Sequence, residues 1–137
     1  MQLDGRPAST TNPSTWTTHA AVLASTAGNG FGFMLGDGVV CIDLDNALQP
    51  NGTLTATAQA VLDATPCAWT EHSLSGTGLH IFGAGFERAG HRIVCADGTG
   101  VEVYARDRFI RMTGKTFRPG GLPVLELDEI LTLARNS

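Results

Sequence analysis

Asp43 and Asp45, separated by one leucine at the end of the run Val39-Val40-Cys41-Ile42-Asp43-Leu44-Asp45, are the residues of this chain best placed to do chemistry. In a strand, residues i and i+2 project from the same face about 6.5–7 Å apart. Both carboxylates then stand together while Val40, Ile42 and Leu44 face the core. Two such charges repel unless a cation separates them, and an oxygen-rich, carboxylate-lined site suits Mg²⁺ or Mn²⁺. The plainer reading is a strand end running into a loop, where Asp is common.

Three further groups bear on the same chemistry. The stretch Ser73-Leu74-Ser75-Gly76-Thr77-Gly78-Leu79-His80-Ile81 places two glycines and several hydroxyls in a turn that enters a strand. Backbone N–H groups of such a turn can approach phosphate oxygens, and His80, just inside the strand, could donate to the same anion. A Gly-rich hairpin with a satisfied histidine is the alternative. Val101-Glu102-Val103-Tyr104 alternates with period two, so Glu102 faces away from Val101 and Val103; it is either solvent-facing or the third carboxylate of a site with Asp43 and Asp45. Gly114-Lys115-Thr116 matches the end of a phosphate-binding P-loop, but Phe109 stands where the motif needs glycine, and ATPase function is discarded.

The elements that must position these residues are legible from pattern. Residues 1–16 read as an irregular arm, with Asn12-Pro13 as a helix start and Trp16 pinning the arm to something apolar. Helices are predicted over Thr18–Ala27, Thr55–Thr65 (ended before Pro66) and Glu126–Ala134. Phe31–Leu35 and Val39–Asp45 are β-rich and, joined by Gly36-Asp37-Gly38, read as a hairpin. Asn46–Thr53 is loop. Further strands are predicted at Ala68–Glu71, Leu79–Gly83, Arg92–Ala96, Val101–Tyr104 and Phe109–Met112. Helices mixed with short strands and hairpin-length connections define an α+β class with a mainly antiparallel sheet.

With 137 residues, one domain spanning 1–137 is expected. The chain is 42% hydrophobic and 16% charged, enough to bury a core rather than remain disordered. No apolar run suits a bilayer span and the N-terminus has no signal-peptide pattern, so a cytoplasmic setting is expected. Cys41, Cys67 and Cys95 are odd in number and lie in apolar contexts, which predicts reduced, buried thiols. The net charge of −4 argues against coating nucleic acid by bulk charge, but it is segregated. Residues 76–118 carry seven basic residues against Glu87, Asp97, Glu102 and Asp107, a net of +3, whereas residues 1–75 carry one basic against six acidic, a net of −5.

In order along the chain stand Gly5-Arg6-Pro7-Ala8-Ser9, Asn12-Pro13-Ser14-Thr15-Trp16, Phe31-Gly32-Phe33-Met34-Leu35, Cys41-Ile42-Asp43-Leu44-Asp45, the Ser73–Ile81 segment, Val101-Glu102-Val103-Tyr104 and Arg108-Phe109-Ile110-Arg111-Met112-Thr113-Gly114. This series resembles the catalytic domain of phage and plasmid primase-polymerases of the archaeo-eukaryotic primase superfamily, from about Gly5 to Gly114. The resemblance implies helices packed on a sheet with an RNA-recognition-motif-like unit. It implies Asp43, Asp45 and Glu102 as catalytic ligands of two divalent cations, Mg²⁺ or Mn²⁺, for template-directed primer synthesis or extension. Ser75, Gly76 and His80 would contact the incoming nucleotide's triphosphate, with Arg108 and Arg111 as further phosphate or template contacts. Nucleoside triphosphates and a single-stranded or primed DNA template would be the partners, in the host cytoplasm if the protein is phage-encoded. Only four residues precede Gly5, where members of the family usually carry a further strand, and no helicase domain follows; a helicase would then be a separate chain. These departures support an alternative: a catalytically idle, stand-alone descendant that binds nucleic acid or a host protein, for instance as an inhibitor of a host defence complex.

Overall fold

The computed structural model describes all 137 residues. Its elements in chain order are α1 (His19–Ala24), β1 (Phe31–Met34), β2 (Val39–Asp45), α2 (Ala56–Ala64), β3 (Thr70–His72), β4 (Leu79–Ala84), β5 (His91–Val94), β6 (Gly100–Tyr104), β7 (Phe109–Met112), β8 (Thr116–Arg118) and α3 (Leu127–Arg135). The class is α+β with antiparallel sheets, as expected.

Six strands form one sheet in the order β5-β6-β2-β4-β3-β8, with every neighbouring pair antiparallel. Strands β2 and β3 both run against β4, which lies between them, so α2 joins two parallel, non-adjacent strands in a split βαβ unit. With β6 on the other flank of β2, the order β6-β2-β4-β3 is that of an RNA-recognition-motif-like sheet. Here the strand β5, rather than a second crossover helix, leads into β6.

The period-two patterns set the two faces of this sheet. Val40, Ile42, Leu44, Leu79, Ile81, Val101 and Val103 all point to one side and are buried against Ala58, Val61 and Leu62 of α2 and Leu127, Ile130, Leu131 and Ala134 of α3. The helical residues recur at i, i+3, i+4 and i+7, the spacing of a single apolar stripe. Helix α2 starts at Thr55, whose hydroxyl accepts from the Ala58 N–H, and stops at Thr65 before Pro66. No helix is long and apolar enough to cross a membrane.

The opposite face of the sheet is covered only in part. Leu35, Cys41, Phe82 and Ile110 form a second, smaller core, flanked by Val39, Trp69, Tyr104 and Met112, beneath a separate two-stranded sheet of β1 and β7. Trp16 of the N-terminal arm meets Phe109 of β7 edge-on, 6.4 Å between ring centres, and so pins the arm as anticipated.

Three expectations are corrected. The Gly36-Asp37-Gly38 turn does not close a hairpin: β1 pairs with β7, Phe31 opposite Met112, and β2 is taken by β4 and β6 on its two edges. The turn instead carries the chain from the small sheet to the large one, with Asp37 at φ 53° and Gly38 at φ 86°. The first helix is shorter than its pattern, ending at Ala24 with Ser25 in extended geometry. Cys67 is exposed at φ 66°, where Cys41 and Cys95 are buried; all three are free thiols.

Candidate functional site

Strand register brings the acidic residues into one line. Reading across the large sheet, Arg92 on β5 is opposite Glu102 on β6, Glu102 is opposite Asp43 on β2, Asp43 is opposite His80 on β4, and His80 is opposite Glu71 on β3. Residues in register share a face, so five ionisable side chains from five strands form a row, with Asp45 two positions along β2 on the same side. The β1–β7 roof stops short of this row, at Cys41 and Phe82. Beyond Asp45, Asn46 adopts φ 53° and turns the chain away.

Each end of the row is fixed by hydrogen bonds. Glu71 is fully buried and accepts from His80 Nδ1 at 2.9 Å, from the Thr113 N–H at 3.2 and 3.1 Å and from the Gly114 N–H at 2.9 Å. With Nδ1–H given to Glu71, His80 presents Nε2 to Asp43 Oδ1 at 3.7 Å. At the other end, Glu102 is 4% exposed and takes Tyr104 Oη–H on Oε2 at 2.8 Å and the Arg92 guanidinium on Oε1. Arg92 Nη1 also reaches Asp45 Oδ2 at 3.4 Å. The Arg108 guanidinium lies over the Tyr104 ring, 4.5 Å from its centre.

The electrostatics follow from this crowding. Burial pushes the Asp43 carboxyl up to about 6; His80 opposes the shift, while Asp45 and Glu102 add to it. Burial and Glu102 also raise Asp45, against Arg92. Burial and the bond to Glu102 push the Tyr104 phenol up to about 12, so it stays a donor at neutral pH. In each case burial is the larger cause, and the neighbouring carboxylates add to it.

The donor set of Asp43, Asp45 and Glu102 is therefore chemically suited to a hard divalent cation: carboxylate oxygens only, on one face, in mutual repulsion. In the present arrangement no three His, Cys, Asp or Glu side chains stand close enough to share one ion. The cation between Asp45 and Glu102 is the Arg92 guanidinium.

The other residues singled out from sequence lie around this row or away from it. Ser75 sits in an exposed turn where its hydroxyl bonds those of Ser73 and Thr77, at 3.1 and 3.0 Å, and Gly76 takes φ 81°. That turn flanks the Asp45 end of β2, since Leu44 pairs with Leu79 and the Leu48 N–H donates to Thr77 O. His80 bonds Glu71 rather than any hydroxyl of the turn. Arg108 borders the row through Tyr104. Arg111 points elsewhere, donating to Asn29 O at 3.2 Å.

Glu71, Arg92 and Tyr104 belong to the site without having been singled out from sequence. Tyr104 carried a signal, since it lies at i+2 from Glu102 and shares its face. Glu71 and Arg92 are assigned only by cross-strand register. At the start of the Gly114-Lys115-Thr116 stretch the backbone holds a carboxylate: the Gly114 N–H and that of the preceding Thr113 both donate to Glu71, while the Lys115 N–H goes to Thr113 Oγ1.

Alongside this antiparallel α+β fold, motif order and acidic row, the chain is similar in sequence to a phage primase-polymerase. It is 34% identical over 132 residues to the DNA primase-polymerase of Nitratiruptor phage NrS-1. The aligned region takes in 91% of this chain but spans only 18% of that protein's length. No family model matches the chain.

Proposed function

We propose that this domain is a metal-dependent nucleotidyltransferase of the primase-polymerase type, extending or starting a DNA or RNA primer on a single-stranded DNA template from nucleoside triphosphates. The observation that carries the reading is the cross-strand placement of Glu102 and His80 on either side of Asp43, with Asp45 two residues along, in a chain similar to a primase-polymerase. Asp43, Asp45 and Glu102 would hold Mg²⁺ or Mn²⁺, which when bound neutralises charge on the attacking 3′ oxygen and on the departing pyrophosphate.

The protein's own groups prepare that site. Tyr104 orients Glu102 by donating to Oε2, leaving Oε1 to face the space occupied by Arg92. Glu71 orients His80 so that Nε2 points along the row toward Asp43. Arg108 then supplies donors for triphosphate oxygens beside the carboxylates, and His80, in its imidazolium form, supplies Nε2–H, with Ser75 and Gly76 in the turn that flanks Asp45 and Arg111 as a more distant contact to the template.

Incubating the protein with Mn²⁺ or Mg²⁺, labelled nucleotides and a primed template tests the reading. Incorporation that disappears in the Asp43→Ala/Asp45→Ala variant is expected, with pyrophosphate rather than free phosphate released. Incorporation no greater than that of the variant overturns it, and nucleic-acid or host-protein binding that persists without incorporation favours the idle, stand-alone descendant.

A further inference from the structure

Arg92 stands where the proposed metal chemistry leaves no role for it. It lies on β5, the edge strand of the large sheet, opposite Glu102, and its guanidinium contacts Glu102 Oε1 and Asp45 Oδ2. These are two of the three carboxylates that would hold the ions. Glycine at position 100 makes room for this contact: a β-carbon there would lie 3.3 Å from Asp45 Cβ and 3.4 Å from Arg92 Nη2. The two partners differ in freedom. The Glu102 side chain is 6% exposed and tied to Tyr104, whereas that of Arg92 is 53% exposed at an open sheet edge.

We propose that Arg92 is the resident counter-ion of the acidic site: it holds Asp45 and Glu102 in place without metal, yields them to an incoming divalent cation, and so sets the cation concentration at which the site loads. The proposal rests on the reading of Asp43, Asp45 and Glu102 as metal ligands. Without a cation, a buried Glu102 beside Asp43 and Asp45 needs a positive partner, because an unpaired buried charge is strongly destabilising. A single guanidinium meets that need for Asp45 and Glu102 with one positive charge, whereas a divalent ion drawn in by the same carboxylates supplies two, so it can displace Arg92. Being half exposed, Arg92 swings out without disturbing a packed core.

The test is Mn²⁺ binding to the whole chain without nucleotide, followed by the spin-resonance signal of free Mn²⁺, for wild type, R92Q and R92K. R92Q should bind about two- to fivefold more tightly than wild type, the scale set by removing one partly exposed competing charge. R92K should fall between them, since an ammonium on a shorter stem, compact and strongly hydrated, keeps the charge but pairs less well with the two carboxylates than the guanidinium does. Without metal, R92Q should melt below wild type, and saturating Mn²⁺ should raise its midpoint by more than it raises that of wild type. If R92Q does not fold, R92K against wild type carries the same ordering. Equal or weaker binding by R92Q or R92K, with wild-type binding lost in D43N/D45N, overturns the role of Arg92 and leaves the metal reading standing. Absence of Mn²⁺ binding in every variant, or binding that survives D43N/D45N, overturns both.

Discussion

His80 is held between two carboxylates of different kinds. Glu71 has three protein donors, His80 and the backbone N–H groups of Thr113 and Gly114, and is fully buried, so its charge is well compensated. Replacing it by Gln would turn an amide NH₂ against at least one of those donors; E71Q is expected to cost about 2–4 kcal/mol, read by denaturant unfolding. Asp43 is under-compensated, and its ionisation opposes folding. Its folded value of about 6 lies above the ordinary carboxylate value near 3.9, so the unfolded chain loses that proton first as pH rises. Stability contributed by protonated Asp43 is whole below about pH 4 and lost as pH climbs to about 6. In metal-free buffer at pH 7, D43N is therefore expected to be more stable than wild type by about 1–3 kcal/mol while abolishing incorporation. Equal or lower melting temperature for D43N would count against this account of the site.

At the scale of elements, the row depends on how firmly β6 is held beside β2. The loop between β5 and β6 does this by gripping the start of α2. Asp97 accepts from the Thr57 N–H at 2.9 Å and the Thr99 N–H at 3.0 Å, and the Thr55 and Thr99 hydroxyls meet at 2.6 Å. Three of the four orphan N–H groups of α2 are thus satisfied: that of Thr55 by Ala47 O, that of Ala58 by the Thr55 cap and that of Thr57 by a carboxylate 40 residues away. Burial acts to raise Asp97, but these bonds outweigh it and hold the carboxyl at about 2. The sign is opposite to that of Asp43: the stability Asp97 contributes is present above about pH 4 and lost as pH falls toward about 2. Asp97→Ala should cost about 1 kcal/mol at pH 7 and nothing below pH 2, which acid unfolding curves of the two proteins would show.

How much was legible in the sequence follows from the same elements. Alternation in Val39–Asp45 and Val101–Tyr104 separated the side chains that share the polar face from those in the core, because a strand's faces are set by local period alone. The helices around Ala58–Leu62 and Ile130–Ala134 were legible because their apolar stripes are local too. Pairing is not local. Nothing near Phe31 says that its partner is Met112, and the adjacent Gly36-Asp37-Gly38 turn suggested the wrong one. Strand β8, three residues long, has too little pattern to declare itself. Arg92 and Glu71 joined the site through partners 10 and 9 residues away, by register that the sequence does not display.

Across the whole molecule, the basic segment of residues 76–118 does not fold into a single positive patch. Arg118 turns inward to donate to the carbonyls of Leu62, Thr65 and Ala68, capping the end of α2. Arg88 pairs with Asp128, Arg111 bonds Asn29 and Arg92 sits among the acids. Arg106 is 3.9 Å from Asp107, Lys115 is exposed next to the backbone that holds Glu71, and Arg108 lies beside the row. Any DNA held by the domain is then held with few phosphate contacts of its own. Binding to a single-stranded oligonucleotide without metal should be weak and should fall only shallowly with salt, with a log–log slope of about −1 to −2 rather than the steep dependence of a basic surface. A steep slope, measured by fluorescence anisotropy from low to moderate salt, would show an electrostatic surface that this arrangement of arginines does not provide.

The roof over Cys41 and Phe82 draws its two strands from opposite ends of this construction. Strand β1 must wait for β7, whose residues follow it by more than seventy positions, and neither pairs with any other strand. The larger core of β2, β4, β6 and the two helices closes without them. The roof is thus a separable unit, late to form and able to open without unfolding the domain. Backbone amides of Phe31–Met34 and Phe109–Met112 should exchange with solvent well before those of Ile42, Ile81 and Val103. Each such opening would uncover the apolar floor beside the carboxylate row and reach the row itself, because β7 is flanked by Arg108 on one side and by the Thr113 and Gly114 N–H groups that hold Glu71 on the other.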